Sequence, residues 1–201
     1  MKQFTICLKL LRWLIPAWFA VAVPSLAYAH VGVDSASGWM HGFTHPVGGA
    51  DHLLAMLAVG VWAAQMGGRA LWRVPLTFVA VMALGAWTGA TIVPFGYAEP
   101  GITLSLLILG VLIAAAIRLP LAVSAALVGV FALCHGYAHG TEMPQNISGL
   151  AYTAGFMLAT ALLHLAGIGL AQIAQVTDRK QWLRLAGFFI ALCGGGLLFA
   201  G

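Results

Sequence analysis

Six apolar segments, each about as long as a bilayer is thick, follow one another through residues 41–200 of this chain. They lie near residues 41–65, 71–94, 101–118, 120–138, 147–173 and 182–200. A chain in lipid must satisfy its own backbone hydrogen bonds, which leaves helices or closed barrels, and the alternating pattern of barrel strands is absent from the sequence. With 62% hydrophobic and only 7% charged residues, the chain is predicted to be all-α. We expect a polytopic membrane helix bundle of six transmembrane helices.

The first 29 residues have the pattern of a cleaved secretory signal peptide. A basic start precedes an apolar stretch at residues 14–23, and the triplet AYA at 27–29 fits a small-residue cleavage site. The predicted organisation is a signal peptide at 1–29 and a six-helix transmembrane domain at 30–201. Cleavage would make His30 the first residue, whose amino group and imidazole could chelate a metal. An incidental His at a terminus is the favoured interpretation.

The charged residues predict one orientation in the membrane. A cleaved signal peptide leaves the new N-terminus outside, so the first, third and fifth loops face inward. These loops carry every Lys and Arg after the signal peptide: Arg69, Arg73, Arg118, Arg179, Lys180 and Arg184. The loops with Glu99 and Glu142 carry none, as the positive-inside rule requires. We therefore expect a multi-pass protein of a bacterial inner membrane with a periplasmic N-terminus. Four tryptophans are interpreted as interfacial anchors: Trp39, Trp62, Trp72 and Trp182.

The run HPVGGADHLLAM, at residues 45–56, places His45, Asp51 and His52 in the first apolar segment. An ionised Asp in the bilayer centre costs about 2.5–3.5 kcal/mol or more, so such a residue needs a function. Two imidazoles beside a carboxylate favour a transition-metal cation. In a straight helix the two histidines would be about 10.5 Å apart along the axis, too far for one ion. Pro46 and the pair Gly48-Gly49 can bend the helix and bring them together. Asp51 and His52 are expected deeper than the outer histidines, near the midplane.

The run HGYAHGTE, at residues 135–142, ends the fourth apolar segment. His135 and His139 are spaced i and i+4, which presents two imidazoles on one helix face, and Glu142 follows one turn later. By the predicted topology this cluster lies at the same, outer side of the membrane as His45. The pairs HGFTH at 41–45 and HGYAH at 135–139 are interpreted as similar local chemistry rather than a duplication.

Three further residues are weaker candidates. His41 could be an entrance residue, although an interfacial His is slightly favoured. His164 is isolated in the fifth segment and is balanced between helix packing and a lower station on a metal path. Cys134 could be a soft ligand, but a small packing residue is favoured. Gly85 and Gly89 form a GxxxG pattern that predicts a close helix contact.

Both motifs resemble the two signatures of the HupE/UreJ family of nickel/cobalt permeases, and the resemblance covers the whole chain after the signal peptide. It implies a secondary transporter associated with hydrogenase or urease maturation, importing nickel first and cobalt second from periplasm to cytoplasm. It assigns metal binding to His45, Asp51, His52, His135, His139 and Glu142. No cofactor beyond the transported ion is implied. The expected partners are the lipid bilayer and the ion, not nucleic acid, and a homo-oligomer is left open.

Two other functions are consistent with the same residues. A membrane-embedded zinc hydrolase would also place His and Asp between helices, but it needs an open coordination position and an activated water. A haem protein with one His from each of two helices would leave Asp51 and Glu142 without a role. The permease is therefore the preferred hypothesis, and the chain is not expected to be an enzyme.

Overall fold

The computed structural model describes residues 35–91 and 96–200, and these residues form α-helices joined by short loops. The helices are α1 (Ser35–Gly48), α2 (Ala50–Met66), α3 (Ala70–Thr91), α4 (Ala98–Ala114), α5 (Leu121–Thr141), α6 (Gly149–Val176) and α7 (Lys180–Ala200). No strand occurs in these two ranges, so the predicted all-α class is confirmed there. The predicted signal peptide and His30 lie outside the described residues.

The helix lengths support a membrane bundle but do not confirm the predicted count of six transmembrane helices. Within residues 35–91 and 96–200, four helices are long and apolar enough to cross a membrane: α3, α5, α6 and α7. Helices α1 and α2 pass the same criterion only as a pair bent by 82°, which gives a fifth span if the pair is counted as one. Helix α4 has 17 residues and falls short. Hydropathy detected every apolar segment, but it does not report where a helix axis changes direction.

The break between α1 and α2 has a local cause in the sequence. Pro46 cannot donate a backbone hydrogen bond, and Gly48 and Gly49 follow it. Gly49 has an extended backbone with φ −103° and ψ 123°, and its carbonyl accepts the first bond of the new helix, from Leu53 N at 3.0 Å. The predicted bend is therefore present. Because α2 begins at Ala50, Asp51 lies in its first turn.

Glycines bring the helices into close contact. In the α3–α5 pair, a Cβ on Gly89 would lie 2.2 Å from Tyr137 O, and one on Gly136 would lie 2.0 Å from Met82 O. Gly85 is similarly close to Leu133 O, so the predicted GxxxG contact is confirmed. Small residues of this kind allow backbones to approach without a hydrophobic driving force between helices. Close backbone contacts at glycines also join α1 and α2 to α6, and α4 to α7.

Gly136→Ala is expected to destabilise the bundle, because its methyl group would collide with the backbone of α3 rather than with a flexible side chain. Overpacking of this kind costs about 1–3 kcal/mol. Gly129→Ala is the matched control in the same helix, since its nearest neighbour, Val81 Cγ2, is 4.0 Å away. Thermal unfolding in detergent should show a lower midpoint for Gly136→Ala alone. Equal midpoints for the two variants would mean that α3 and α5 can move apart without loss of stability.

The end of the bundle away from the second motif carries the basic residues. Arg118, Lys180 and Arg184 line one cavity of about 210 Å³, and Arg184 Nε donates to Ala114 O at the end of α4. Trp62 is fully buried and donates to Ile117 O at 2.9 Å, so its interpretation as an interfacial anchor was wrong. The indole instead satisfies a backbone carbonyl just beyond the end of α4.

Candidate metal site

Four imidazoles from three helices meet at the other end of the bundle. The ring centroid of His139 on α5 is 4.9 Å from that of His45 on α1 and 4.9 Å from that of His52 on α2. The rings of His52 and His135 are 5.2 Å apart, and those of His45 and His52 are 6.5 Å apart. The two sequence motifs, separated by some 80 residues of chain, therefore form one cluster. The helix break brings His45 and His52 together, as the pattern of Pro and Gly predicts.

Helix α5 separates its packing face from its ligand face. Gly136 and Gly140 contact the backbone of α3, whereas His135 and His139, one position earlier in each turn, contact His52 of α2. Each His-Gly pair therefore combines a close helix contact with an imidazole on an adjacent face. Cys134 instead faces α4, where its Sγ lies 2.4 Å from the position of a Cβ on Gly101. The favoured interpretation of Cys134 as a packing residue agrees with this contact.

The two similar pentapeptides are not equivalent in the structure. Their second histidines, His45 and His139, are in ring contact. Their first histidines differ, because His135 is fully buried whereas His41 is exposed. Within residues 35–91 and 96–200, no hydrogen bond or ring contact joins the His41 side chain to the cluster. The two pentapeptides therefore share a glycine in a close helix contact and a histidine in the cluster, and they are not two copies of a site.

The outer part of the cluster contains a carboxylate. One side-chain donor atom each from His45, His139 and Glu142 lie within 4.8 Å of one another. His45 Nε2 donates to Glu142 Oε2 at 2.8 Å. This hydrogen bond holds the pKa of the Glu142 carboxyl below its usual value, against the opposing effect of desolvation. Glu142 is therefore a carboxylate at neutral pH, and it is available to a cation that displaces the His45 proton.

The inner part of the cluster has two imidazoles whose orientation is set by hydrogen bonds. His135 Nδ1 is 2.8 Å from Phe131 O, and His52 Nδ1 is 3.2 Å from Asp51 Oδ1. A carbonyl oxygen only accepts, so His135 carries its proton on Nδ1 and leaves a lone pair on Nε2. The carboxylate of Asp51 selects the same tautomer for His52. Histidines that bind metal ions are commonly held in this way through the second ring nitrogen.

Four further ring nitrogens of the cluster are buried and have no hydrogen-bond partner among the described residues. These are Nε2 of His52, Nε2 of His135 and both nitrogens of His139. A buried polar atom without a hydrogen bond costs about 1–3 kcal/mol, so such atoms are rare unless a ligand satisfies them. Neutral imidazole nitrogens are the usual ligands of divalent transition metals. Two carboxylates beside them can offset the charge of a dication.

The structure brings all six principal sequence candidates to this site: His45, Asp51, His52, His135, His139 and Glu142. Their relative depth differs from the prediction. Asp51 is partly exposed, and His52 contacts His135 and His139 in the last two turns of α5, so neither lies at the midplane. The helix break causes this difference, because α2 starts at the level of the cluster. His164 lies apart from it, against Phe78.

Three aromatic residues at the site were not identified from the sequence. Phe156 stacks on His139 with centroids 4.8 Å apart and planes 17° apart. Tyr152 contacts His45 at 5.8 Å, and its buried hydroxyl has no hydrogen-bond partner within residues 35–91 and 96–200. Phe78 contacts His135 at 5.5 Å. The only available signal was the i and i+4 spacing of Tyr152 and Phe156, which is equally typical of ordinary helix packing.

Comparisons with known proteins agree with this arrangement. The family model described as HupE / UreJ protein matches residues 18–197, which include both motifs. Protein HupE of Rhizobium leguminosarum bv. viciae is 44% identical over 179 residues, which cover 89% of this chain and 93% of that protein. No solved structure matches the chain. On these two matches, the chain belongs to the HupE/UreJ family of hydrogenase and urease accessory nickel/cobalt permeases.

Proposed function

We propose that this protein is a secondary transporter that carries divalent transition-metal ions, nickel first and cobalt second, from the periplasm to the cytoplasm. The observation that carries the proposal is the four-histidine cluster formed by His45, His52, His135 and His139. The centroids of neighbouring rings are 4.9–5.2 Å apart, and several ring nitrogens have no hydrogen-bond partner among the described residues. Glu142 accepts a hydrogen bond from His45 and Asp51 accepts one from His52, and both carboxylates supply negative charge.

The donor set favours borderline metal ions. Imidazole suits nickel, copper, zinc and iron, whereas calcium and magnesium prefer sites built from oxygen alone. Intrinsic affinity rises from Co²⁺ to Ni²⁺ and is greatest for Cu²⁺, so selection against copper depends on geometry and supply. Nickel and cobalt are placed first here because the chain belongs to a nickel/cobalt permease family.

The distribution of charge supports the proposed direction. Glu142 lies at the cluster end, whereas Arg118, Lys180 and Arg184 lie together at the opposite end. The positive-inside rule would place that basic end in the cytoplasm and the cluster at the outer face. An inside-negative potential supplies about 2.3 kcal/mol per charge per 100 mV. A dication therefore gains about 4.6 kcal/mol, enough for a gradient of about a thousandfold without a coupling ion.

Metal flux into proteoliposomes tests the proposal. The protein would be reconstituted, an inside-negative potential imposed with potassium and valinomycin, and accumulation of Ni²⁺, Co²⁺ and Zn²⁺ measured. We expect potential-dependent accumulation of Ni²⁺ and Co²⁺ above that of empty vesicles. Accumulation no greater than in empty vesicles would refute transport. Zn²⁺-dependent hydrolysis of a peptide or ester by the same preparation would support the hydrolase instead.

The orientation can be tested in whole cells with single cysteines in a variant lacking Cys7, Cys134 and Cys193. Gln145→Cys lies just beyond the cluster end of α5, and Thr177→Cys follows α6 at the basic end. A membrane-impermeant maleimide should label Gln145→Cys in intact cells and Thr177→Cys only after permeabilisation. The reverse pattern would place the cluster in the cytoplasm and turn the proposed import into export.

A further inference from the structure

His164 is fully buried in α6 and is unexplained by helix packing alone. It is 1% exposed, and neither ring nitrogen has a hydrogen-bond partner. The common role of a membrane His is a hydrogen bond to a neighbouring helix. His164 makes no such bond within residues 35–91 and 96–200. No hydrogen bond from that part of the chain uses its donor or its acceptor, so a ligand could use them.

Phe78 contacts both His164 and the four-histidine cluster. The centroid of the Phe78 ring is 5.5 Å from that of His135 and 5.2 Å from that of His164. The His164 and Phe78 planes are at 90°, a geometry in which one imidazole N–H can point at the aromatic face. The second nitrogen would still carry a lone pair. Phe78 is thus a contact that His135 and His164 share.

Two weaker donors accompany His164. Thr160 is one helical turn before it and is also fully buried, and Thr160 Oγ1 donates to Met82 Sδ at 3.8 Å. Met82 is in turn one helical turn after Phe78 on α3. Because residues spaced i and i+4 share a helix face, the four side chains form one contact between α3 and α6. On the α2 side, a Cβ on Gly60 would lie 2.1 Å from His164 O, so the backbones there leave no room for a larger residue.

From these contacts we infer that His164 is an inner station for the transported metal ion, linked to the four-histidine cluster through the shared contact with Phe78 and accompanied by Thr160 and Met82 on the same helix faces. One imidazole with a hydroxyl and a thioether is a weak ligand set beside four imidazoles and two carboxylates. A transport path needs such a step, because an ion must bind well enough to enter and weakly enough to leave. The inference rests on the proposed function and concerns the route below the cluster.

The test separates binding from translocation. His164→Leu and His164→Gln would be purified, and Ni²⁺ affinity at equilibrium and Ni²⁺ flux into proteoliposomes would be measured for each. We expect Ni²⁺ affinity within about twofold of the unmodified protein, because His164 makes no ring contact with a cluster histidine in the part of the chain that the structure describes. Flux should fall about tenfold or more, the loss that follows removal of a group supporting a metal ion. Ile168→Val is the matched control, since Ile168 is buried one turn further along the same face and offers no donor. It should change neither quantity.

Each other outcome contradicts the inference. Normal flux in both His164 variants would show that the ion does not use this residue. Loss of affinity and flux together, with a lower thermal midpoint than that of Ile168→Val, would assign His164 to packing. These results are distinct from a failure of the proposed function, in which the unmodified protein itself would show no potential-dependent flux.

Discussion

Asp51→Asn is expected to lower Ni²⁺ uptake at limiting metal by about tenfold or more, while the protein still reaches the membrane. Asp51 Oδ1 accepts hydrogen bonds from the backbone N and from Nδ1 of His52. Asparagine has the same shape and keeps an oxygen for the backbone bond, but it lacks the charge that offsets a dication bound beside it. Uptake of ⁶³Ni by cells, normalised to the amount of protein in the membrane, measures the effect.

The size of this effect does not depend on whether the carboxylate touches the ion. A carboxylate that only orients a metal-binding His typically contributes 10–100-fold in affinity or activity, or about 1.4–2.7 kcal/mol. Asp178→Asn is the matched control. It removes the same charge just after α6, at the end of the bundle away from the cluster. Asp178 has φ 53°, a left-handed conformation that Asn also tolerates. Normal uptake by Asp51→Asn would confine the ion path to the histidines and Glu142.

The meeting of the two motifs could be predicted because it depends on few structural variables. The i and i+4 spacing of His135 and His139 fixes their common face once the segment is a helix. The alternation of basic and acidic loops places that end of α5 beside the start of the first apolar segment. Pro46, Gly48 and Gly49 indicate a break, since each weakens the helix there. These local rules place His45 and His139 at the same end of the bundle, and the structure adds that their rings are in contact.

The depth of the site could not be predicted, because it depends on the direction of α1. The sequence indicates that a break is present, but the 82° angle reflects packing. A Cβ on Gly42 would lie 2.0 Å from Tyr152 O, so the backbone of α1 rests against the start of α6. That contact links residues more than 100 positions apart, and no local pattern reports it. Asp51 is consequently in the first turn of α2 rather than near the midplane.

The aromatic surroundings of the cluster were beyond prediction for a different reason. Phe78, Tyr152 and Phe156 lie in apolar helices where most aromatic residues pack against neighbours or face lipid. Trp87, on the same helix as Phe78, is 66% exposed. Only the register between helices distinguishes a ring against His139 from one in the bilayer. The same reason explains Trp62, whose position near a helix end was equally compatible with an anchor and with its observed buried hydrogen bond.

His139→Gln is expected to produce the largest loss of uptake of any single histidine variant, about a hundredfold at limiting Ni²⁺. Its ring is 4.9 Å from both the His45 ring and the His52 ring, closer than those two rings are to each other, and so it connects the outer and inner parts of the cluster. Both of its nitrogens are buried, and no group in the described part of the chain competes with a metal ion for them. Glutamine stays polar and long, but it cannot reproduce an imidazole stacked on Phe156. Equilibrium Ni²⁺ binding to the purified variant should weaken in parallel with uptake.

His41→Gln is the control that tests whether position in the cluster, rather than membership of the motif, decides the effect. His41 has the same place in HGFTH that His135 has in HGYAH, but its side chain is exposed and apart from the cluster. Uptake by His41→Gln should remain within about twofold of the unmodified protein, as for a site without shared contacts. A loss as large as that of His139→Gln would instead make His41 an obligatory entrance residue. The ion would then have to be captured on the exposed face of α1 before it reaches His45.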